Sequence, residues 1–311
     1  MNVTVAASAP KRSNLHQRGS WWERHQRTLS PYLFIAPFYI LFFVFFLGPV
    51  LFAILLSFQS WNGIDPMHFV GLDNFTELAT DPVLRKTLVN TAVYSGASLF
   101  VISPLSFLLA VALNAGMVRG KGLLRTIYFT PIVTSSVAIA IVFLVLYNQR
   151  SGLFNQVLSA LGSEPINWLG SRDWSKVAVL GLMTWRWMGF NAIYFLAGLQ
   201  TIPVSLYEAA VVDGANQWQS FRHITIPMLR PVILFVAVIV LIGSAQIFEE
   251  PYMLTSGGPV DSSLSISNYL YRVGMQYLRL GYASSVGFLL FVIIFFFSWL
   301  QMRLFGVFQE D

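Results

Sequence analysis

Glu208–Pro227 reads EAAVVDGANQWQSFRHITIP, a polar island of 20 residues set between two long apolar runs. Membrane segments are usually joined by shorter loops, so an island with its own helical punctuation needs a reason. Ser205-Leu206-Tyr207-Glu208 has the spacing of a capping box, with Ser205 as N-cap and Glu208 reaching back from the third helical position. Asp213-Gly214 then supplies a turn, because glycine enters the left-handed region at little cost and ends the first helix. Asn216 is placed to cap a second short helix running to His223, and Pro227 to stop it before the next apolar run. The expectation is a helical hairpin lying outside a bilayer.

The apolar runs on either side fix the fold class. Of 311 residues, 56% are hydrophobic and 11% charged, and mean hydropathy is +0.64. A soluble chain of this size could not hide that much apolar surface. Six runs reach the length that crosses a bilayer, about 20 residues at 1.5 Å each. They are Tyr32–Phe58, Leu88–Ala115, Leu123–Tyr147, Val177–Leu199, Pro231–Phe248 and Tyr282–Phe305. Each is continuous rather than alternating, which excludes membrane strands. The first run follows Lys11, Arg12, Arg18, Arg24 and Arg27, but its core is too long for a signal peptide and no small-residue cleavage site follows. The expected fold is an all-α membrane bundle of six helices.

Cation placement gives the orientation. With the N-terminus inside, the tail, the loop with Arg119, Lys121 and Arg125, the hairpin with Arg222 and Arg230, and Arg303 hold eleven Lys/Arg. The opposite loops hold seven: Arg85, Lys86, Arg150, Arg172, Lys176, Arg272 and Arg279. The excess places both termini and Glu208–Pro227 in the cytoplasm. The net charge of +5 is therefore a topology signal and gives no reason to expect nucleic acid. The outer connections would be Gln59–Thr87, containing Phe69-Val70-Gly71-Leu72-Asp73-Asn74-Phe75, then Asn148–Lys176, then Glu249–Gly281 with its Gly257-Gly258-Pro259 turn. Pro37, Pro49, Pro104 and Pro131 interrupt spans and are expected to kink them.

No phosphate-cradling Gly-Lys-Ser/Thr loop, nucleophile elbow or metal-ligand spacing of His16, His25, His68 and His223 is visible, and there is no cysteine. Ionisable residues inside the apolar runs are the suspects that remain. Arg186 lies mid-run in Thr184-Trp185-Arg186-Trp187, where an unpaired cation would cost on the order of 2.5–3.5 kcal/mol. It either contributes, with Trp185, to a sugar-binding surface, or forms an ion pair with Glu249 or Glu250, or a cation–π clamp. Asn191, Gln246 and Glu249 are further pathway candidates. Trp218 and Phe221 are expected to pack against neighbouring helix ends.

The hairpin also carries a resemblance. Glu208-Ala209-Ala210, three residues, Gly214, nine residues, Ile224, one residue, Ile226 and Pro227 resemble the cytoplasmic coupling loop of ABC-importer permeases, with Ile226 in place of the usual leucine. Ala197-Gly198-Leu199-Gln200-Thr201-Ile202-Pro203 and Leu254-Thr255-Ser256-Gly257-Gly258-Pro259 are similar to the carbohydrate-uptake branch, including maltose, lactose and glycerol 3-phosphate permeases. The likeness runs from about Thr87 to the C-terminus. It implies a type-I importer permease fold with a permease domain over 87–305, its coupling loop at 204–227 and a cytoplasmic end at 306–311; ahead of it, composition and the first apolar run give a tail over 1–30, a first span over 31–59 and a short outer loop over 60–86. It further implies that Glu208, Ala209, Ala210, Asp213, Gly214, Ile224 and Pro227 meet an ATPase. The partners implied are a second homologous permease, an ATPase dimer carrying ATP and Mg, and an extracytoplasmic sugar-binding protein. The chain itself would be no enzyme and bind no cofactor or metal. A permease for a non-sugar solute, or an ion-coupled secondary transporter, is the alternative.

Overall fold

The protein is described by a computed structural model over residues 21–114 and 121–305, so the expectations for the first 20 and last six residues, for Arg119 and for the end of the second run at Ala115 lie outside it. Among the described residues, four helical stretches are long and apolar enough to cross a membrane: Leu29–Leu56, Pro82–Asn114, Arg230–Thr255 and Leu280–Leu304. Two bent pairs make six if each counts as one span: Gly122–Val133 with Ser136–Leu146, bent by 101°, and Trp174–Thr201 with Val204–Val212, bent by 63°.

Residues up to Ala53 form one compact unit and those from Ile54 another. The first contains α1 (Trp21–Phe42), a wide π-helical turn at Phe43–Leu47, and the start of α2 (Gly48–Leu56). Its aromatic rings stack at four-residue spacing, Phe38 on Phe42 at 6.2 Å and Phe42 on Phe46 at 5.1 Å.

The second unit starts with a two-stranded hairpin, β1 (Gln59–Ser60) against β2 (His68–Phe69), followed by α3 (Asp73–Thr80). Helix α4 (Pro82–Ala97) begins six residues before the expected Leu88. The reason is local: Asp81 accepts from the amides of Val83 and Leu84 at 2.8 and 3.1 Å, and Pro82 occupies a position where its missing donor costs nothing. A π-helical turn at Ser98–Ile102 leads into α5 (Ser103–Asn114). Then come α6 (Lys121–Val133), α7 (Ser136–Leu146), α8 (Leu153–Ala160) and α9 (Trp174–Thr201). The hairpin holds α10 (Val204–Val212), α11 (Gln217–Ser220) and α12 (Ile226–Met228). The chain ends in α13 (Arg230–Ala245), α14 (Glu249–Thr255), α15 (Ile266–Tyr271) and α16 (Leu280–Leu304).

Two prolines expected to kink their helices produce wide turns instead. Ahead of Pro49 the amide of Gly48 bonds the carbonyl of Phe43, and ahead of Pro104 that of Ser103 bonds Ser98, each one residue wider than an α-turn. Proline lacks a donor and its ring crowds the carbonyl four residues back, and the wide turn relieves both without breaking the helix. Pro131 behaves differently, since the chain turns extended at Ser135, four residues later, and splits the single expected span into α6 and α7.

Helix α9 is the centre of the second unit. Its buried face, including Ala178, Leu182, Ala192 and Phe195, packs in two apolar clusters with residues of α5, α7 and α13. Gly189 lets α6 approach closely, because a Cβ there would stand 1.9 Å from the carbonyl oxygen of Tyr128. At the start of α4, Asp81 also accepts from the hydroxyls of Tyr269 and Tyr282, so one carboxylate joins α4, α15 and α16. Burial pushes its carboxyl up, but those hydroxyls and the two capping amides outweigh it and hold the group below its ordinary value of 3.8.

A carboxyl depressed in the folded state stabilises above its unfolded pKa and loses that contribution as pH falls through the folded one. Asp81→Ala should therefore lower thermal stability in detergent by about 1–2 kcal/mol at pH 7 for the lost cap. The gap from wild type should stay constant down to about pH 5 and narrow only below 3.8. A gap already closing between pH 7 and 5 would contradict the depressed pKa.

Candidate functional site

The polar island forms the expected hairpin, with changes in its punctuation. Helix α10 starts at Val204 with Pro203 as N-cap; Ser205 lies inside the helix and makes no cap, and Glu208 points into solvent. The extended backbone of Ile202 and Pro203 sets the start, because a residue before proline is driven out of the helical region. The end is as read. Gly214 has φ +80°, its amide bonds Val211 at 3.0 Å, and the amide of Ala215 bonds Ala210 at 2.8 Å, a complete Schellman stop. Asn216 and Gln219 then form a reciprocal capping box at 2.8 and 2.9 Å.

The second arm continues from α11 through a π-helical turn at Phe221–Thr225 into α12. Pro227 does not stop it. The wide turn ahead of Pro227 absorbs the missing donor, and the chain breaks only at Leu229.

One side of the hairpin is fastened to the bundle. Phe221 stacks on Phe107 of α5 at 5.9 Å and Ile224 packs into the cluster around Leu199, Ile202 and Leu229, while a 2.9 Å hydroxyl contact between Tyr207 and Thr225 ties the two arms of the hairpin together. The other side is open. Glu208, Ala209, Asp213, Gly214 and Pro227 are exposed, Ala210 is partly covered, and Ile224 is turned inward as an anchor. Val211 and Val212 are 70% and 86% exposed, and Trp218, expected against helix ends, is 67% exposed and among the described residues has a ring contact only with Phe221. Neighbouring apolar side chains left bare on a well-capped hairpin mark an interaction surface.

The second site lies inside the bundle on α9. Arg186, 8% exposed, reaches Glu249 at 2.8 Å and Glu250 at 3.2 Å, both from the first turn of α14, and donates to Ser136 Oγ at 2.8 Å from the first turn of α7. Ser136 in turn donates to Glu249, and the indole of Trp187 donates to Glu250 at 2.8 Å. The guanidinium stands 5.4 Å from the Trp187 ring. The ion-pair and cation–π readings of Arg186 thus both hold. Trp185 takes no part: it is half-exposed and its ring lies 5.5 Å from Phe143.

Below this cluster is a cavity of about 100 Å³, walled by Met183, Trp187, Phe190 and Asn191 of α9, by Gly243 and Ser244 of α13, and by Ser98. It has room for about three waters at roughly 30 Å³ each. Asn191 is buried there, whereas Gln246 is exposed at the break between α13 and α14. Ser98 and Ser244, absent from the sequence reading, are small polar residues in apolar runs with no neighbouring charge to mark them.

Comparison with known proteins places this architecture. A family model described as "Binding-protein-dependent transport system inner membrane component" matches residues 102–305. The chain belongs to that family. It is a multi-pass inner-membrane protein and the permease component of an ABC transporter, not its ATPase. The arabinooligosaccharides transport system permease protein AraP of Bacillus subtilis (strain 168) is 38% identical over 291 residues, covering 92% of each chain. The lactose transport system permease protein LacF of Rhizobium radiobacter is 38% identical, covering 88% of this chain and 93% of that one. A chain of the bacterial alginate ABC transporter, solved with an alginate pentasaccharide-bound periplasmic protein, superposes with a TM-score of 0.81 at 26% identity, covering 94% of this permease and 99% of that chain.

Breaking a buried pair leaves its partner charged and unpaired, which typically costs about 3–5 kcal/mol. Arg186→Met should lower the permease's thermal stability by that order, since Glu250 is buried at its other end. The double variant Arg186→Met, Glu250→Gln should recover part of the loss in the same unfolding experiment. No recovery would mean that the cluster does not act as a pair.

Proposed function

We propose that this permease subunit serves an ATP-driven importer of oligosaccharides or related sugars, and that Glu208–Pro227 is its docking element for a cytoplasmic ATPase. The observation that carries the docking role is the hairpin: stopped and capped at its bend, fastened along one side, and bare along the side with Glu208, Val211 and Val212. Small Ala209 lets a partner approach the backbone, and the Glu208 carboxylate is free to pair with a partner's arginine or lysine. ATP and Mg belong to an ATPase dimer, since this chain has no phosphate loop of its own. A second homologous permease would complete the pathway, and an extracytoplasmic binding protein would deliver the solute. Both termini and the hairpin face the cytoplasm in this account, consistent with the cation excess on that side.

The sugar assignment is supported by the relatives' printed substrates, arabinooligosaccharides, lactose and alginate. Locally it is supported by the cavity's combination of Trp187 and Phe190 rings with Asn191, Ser98 and Ser244. Rings can cover a sugar face while amide and hydroxyl groups meet its hydroxyls. At about 100 Å³ the cavity is too small for an oligosaccharide, so binding would require α9 and α13 to separate. Arg186, already committed to two carboxylates, is assigned to holding α7, α9 and α14 together.

Glu208→Lys should leave membrane levels unchanged and reduce ATP-dependent sugar uptake to below a tenth of wild type. Asn191→Ala should instead raise the KM for uptake while the ATPase still co-purifies. The same preparation, extracted in mild detergent, should bring down a second permease and an ATPase, identified by mass spectrometry. A subunit recovered alone that moves solute into proteoliposomes without ATP would sink the importer reading in favour of a secondary transporter.

A further inference from the structure

The seven cations on the side opposite the hairpin run against the usual charge bias of membrane proteins, and they are not scattered. Arg272 is paired with Asp261 and Arg279 with Glu77. Four of the other five, Arg85, Lys86, Arg172 and Lys176, line one open basin of about 620 Å³ where α4 and α9 begin. Lys86 donates to the carbonyl of Val260 and Lys176 to Asn90 Oδ1 at 3.2 Å, which fixes both ammonium groups on the wall. Arg85 and Arg172 are exposed and make no ion pair among the described residues. The basin has two carboxylates. Asp81 is already engaged by two tyrosines and two amides, which leaves only Asp173.

Depth separates the possible occupants. Arg85 and Lys86 are in the first turns of the span that starts at Pro82, and Lys176 is in the first turn of α9. An exposed apolar strip lies directly beneath on α4: Val89 and Val93 follow Arg85 at four-residue steps on one face. Cations above bare aliphatic surface, at the level where helices enter the bilayer, match an amphiphile with an anionic head. An acidic surface on a soluble protein would satisfy the cations but give no use to the strip.

We infer that this basin binds the headgroup of an anionic phospholipid, whose acyl chains lie along Val89 and Val93. The orientation proposed above makes it an outer-leaflet lipid, and the site's chemistry is the same in either leaflet. Arg85 and Arg172 supply the free positive charge, and Lys86 and Lys176 the fixed walls.

The full-length permease, purified in mixed micelles with equal phosphatidylglycerol and phosphatidylcholine, tests this by native mass spectrometry. Wild type should retain phosphatidylglycerol several-fold over phosphatidylcholine. Arg85→Gln with Arg172→Gln should reduce that retention about tenfold, whereas Arg150→Gln, outside the basin, should not. Circular dichroism and gel filtration establish that the variants are folded. Equal retention of both lipids, or a double variant that keeps its phosphatidylglycerol, would overturn the inference. So would displacement of the lipid by millimolar inorganic phosphate, which would mean a free-anion site. A double variant that keeps its lipid but no longer engages the binding protein would assign the basin to an acidic protein surface. Since the lipid-retention measurement needs neither partners nor transport, its outcome is independent of the importer reading.

Discussion

Inside a bilayer no water is available to a backbone amide or carbonyl, so each must find its partner within the chain. That constraint accounts for more of this permease than any single contact. It explains why prolines in apolar runs are bordered by wide turns: the ring removes a donor and displaces a carbonyl, and widening the turn at Phe43–Leu47 and Ser98–Ile102 restores a partner without opening the helix. It also explains the polar side chains that line the break after α14. Asn90 donates to the carbonyls of Asp261 and Leu264 at 2.9 Å, Tyr94 to that of Ser263, and Thr91 accepts from the amide of Ile266. The segment after α14 is irregular, but side chains of α4 satisfy its backbone from within the protein.

This accounting marks what the sequence could and could not reveal. The apolar runs, Gly214 and the Asn216 box were legible because each depends on residues within a few positions of one another. Asp81-Pro82 was equally local and was overlooked, although an acidic N-cap followed by proline is a helix start in its own right. Ser205 misled because its spacing to Glu208 was right while Pro203, two residues earlier, had already fixed where the helix begins. The stretch after Gly257-Gly258-Pro259 is expected as an outer connection, yet Ser262, Ser263 and Ser265 are all buried. Ser263 bonds locally to the carbonyl of Gly258, but the partners of Ser262 and Ser265 are the distant Ser175 and Ile247, which the local sequence does not announce.

Arg186 shows the limit from the other direction. One arginine in an apolar run forecast a partner or a wet cavity, and adjacent carboxylates at Glu249 and Glu250 were the evident candidates. Composition could not say that both would bind it together with Ser136, because that depends on α7 and α14 each starting beside the middle of α9. Nor could it separate the two tryptophans, identical in type and only two positions apart. On a helix two positions is about 200°, so Trp187 faces the cluster and Trp185 faces Phe143.

The order of elements along the chain gives the two sites a mechanical relation. The hairpin is inserted between α9 and α13, and these are the two helices that supply most of the cavity wall. From Asn191 to the end of α9 is about 15 Å of helix, and from Arg230 to Ser244 about 21 Å. No flexible linker intervenes on the α9 side beyond the two extended residues Ile202 and Pro203, and Ile202 is itself buried in the core. Displacing the hairpin would therefore bear on both walls at once. The Arg186 cluster ties α9 to α7 and α14 at one end of the cavity, and at the hairpin end Leu196, Leu199 and Ile202 pack in one buried cluster with Leu229 and Val236. A push at Glu208–Pro227 would be expected to spread or close the cavity from below, with the buried ion cluster at its far end.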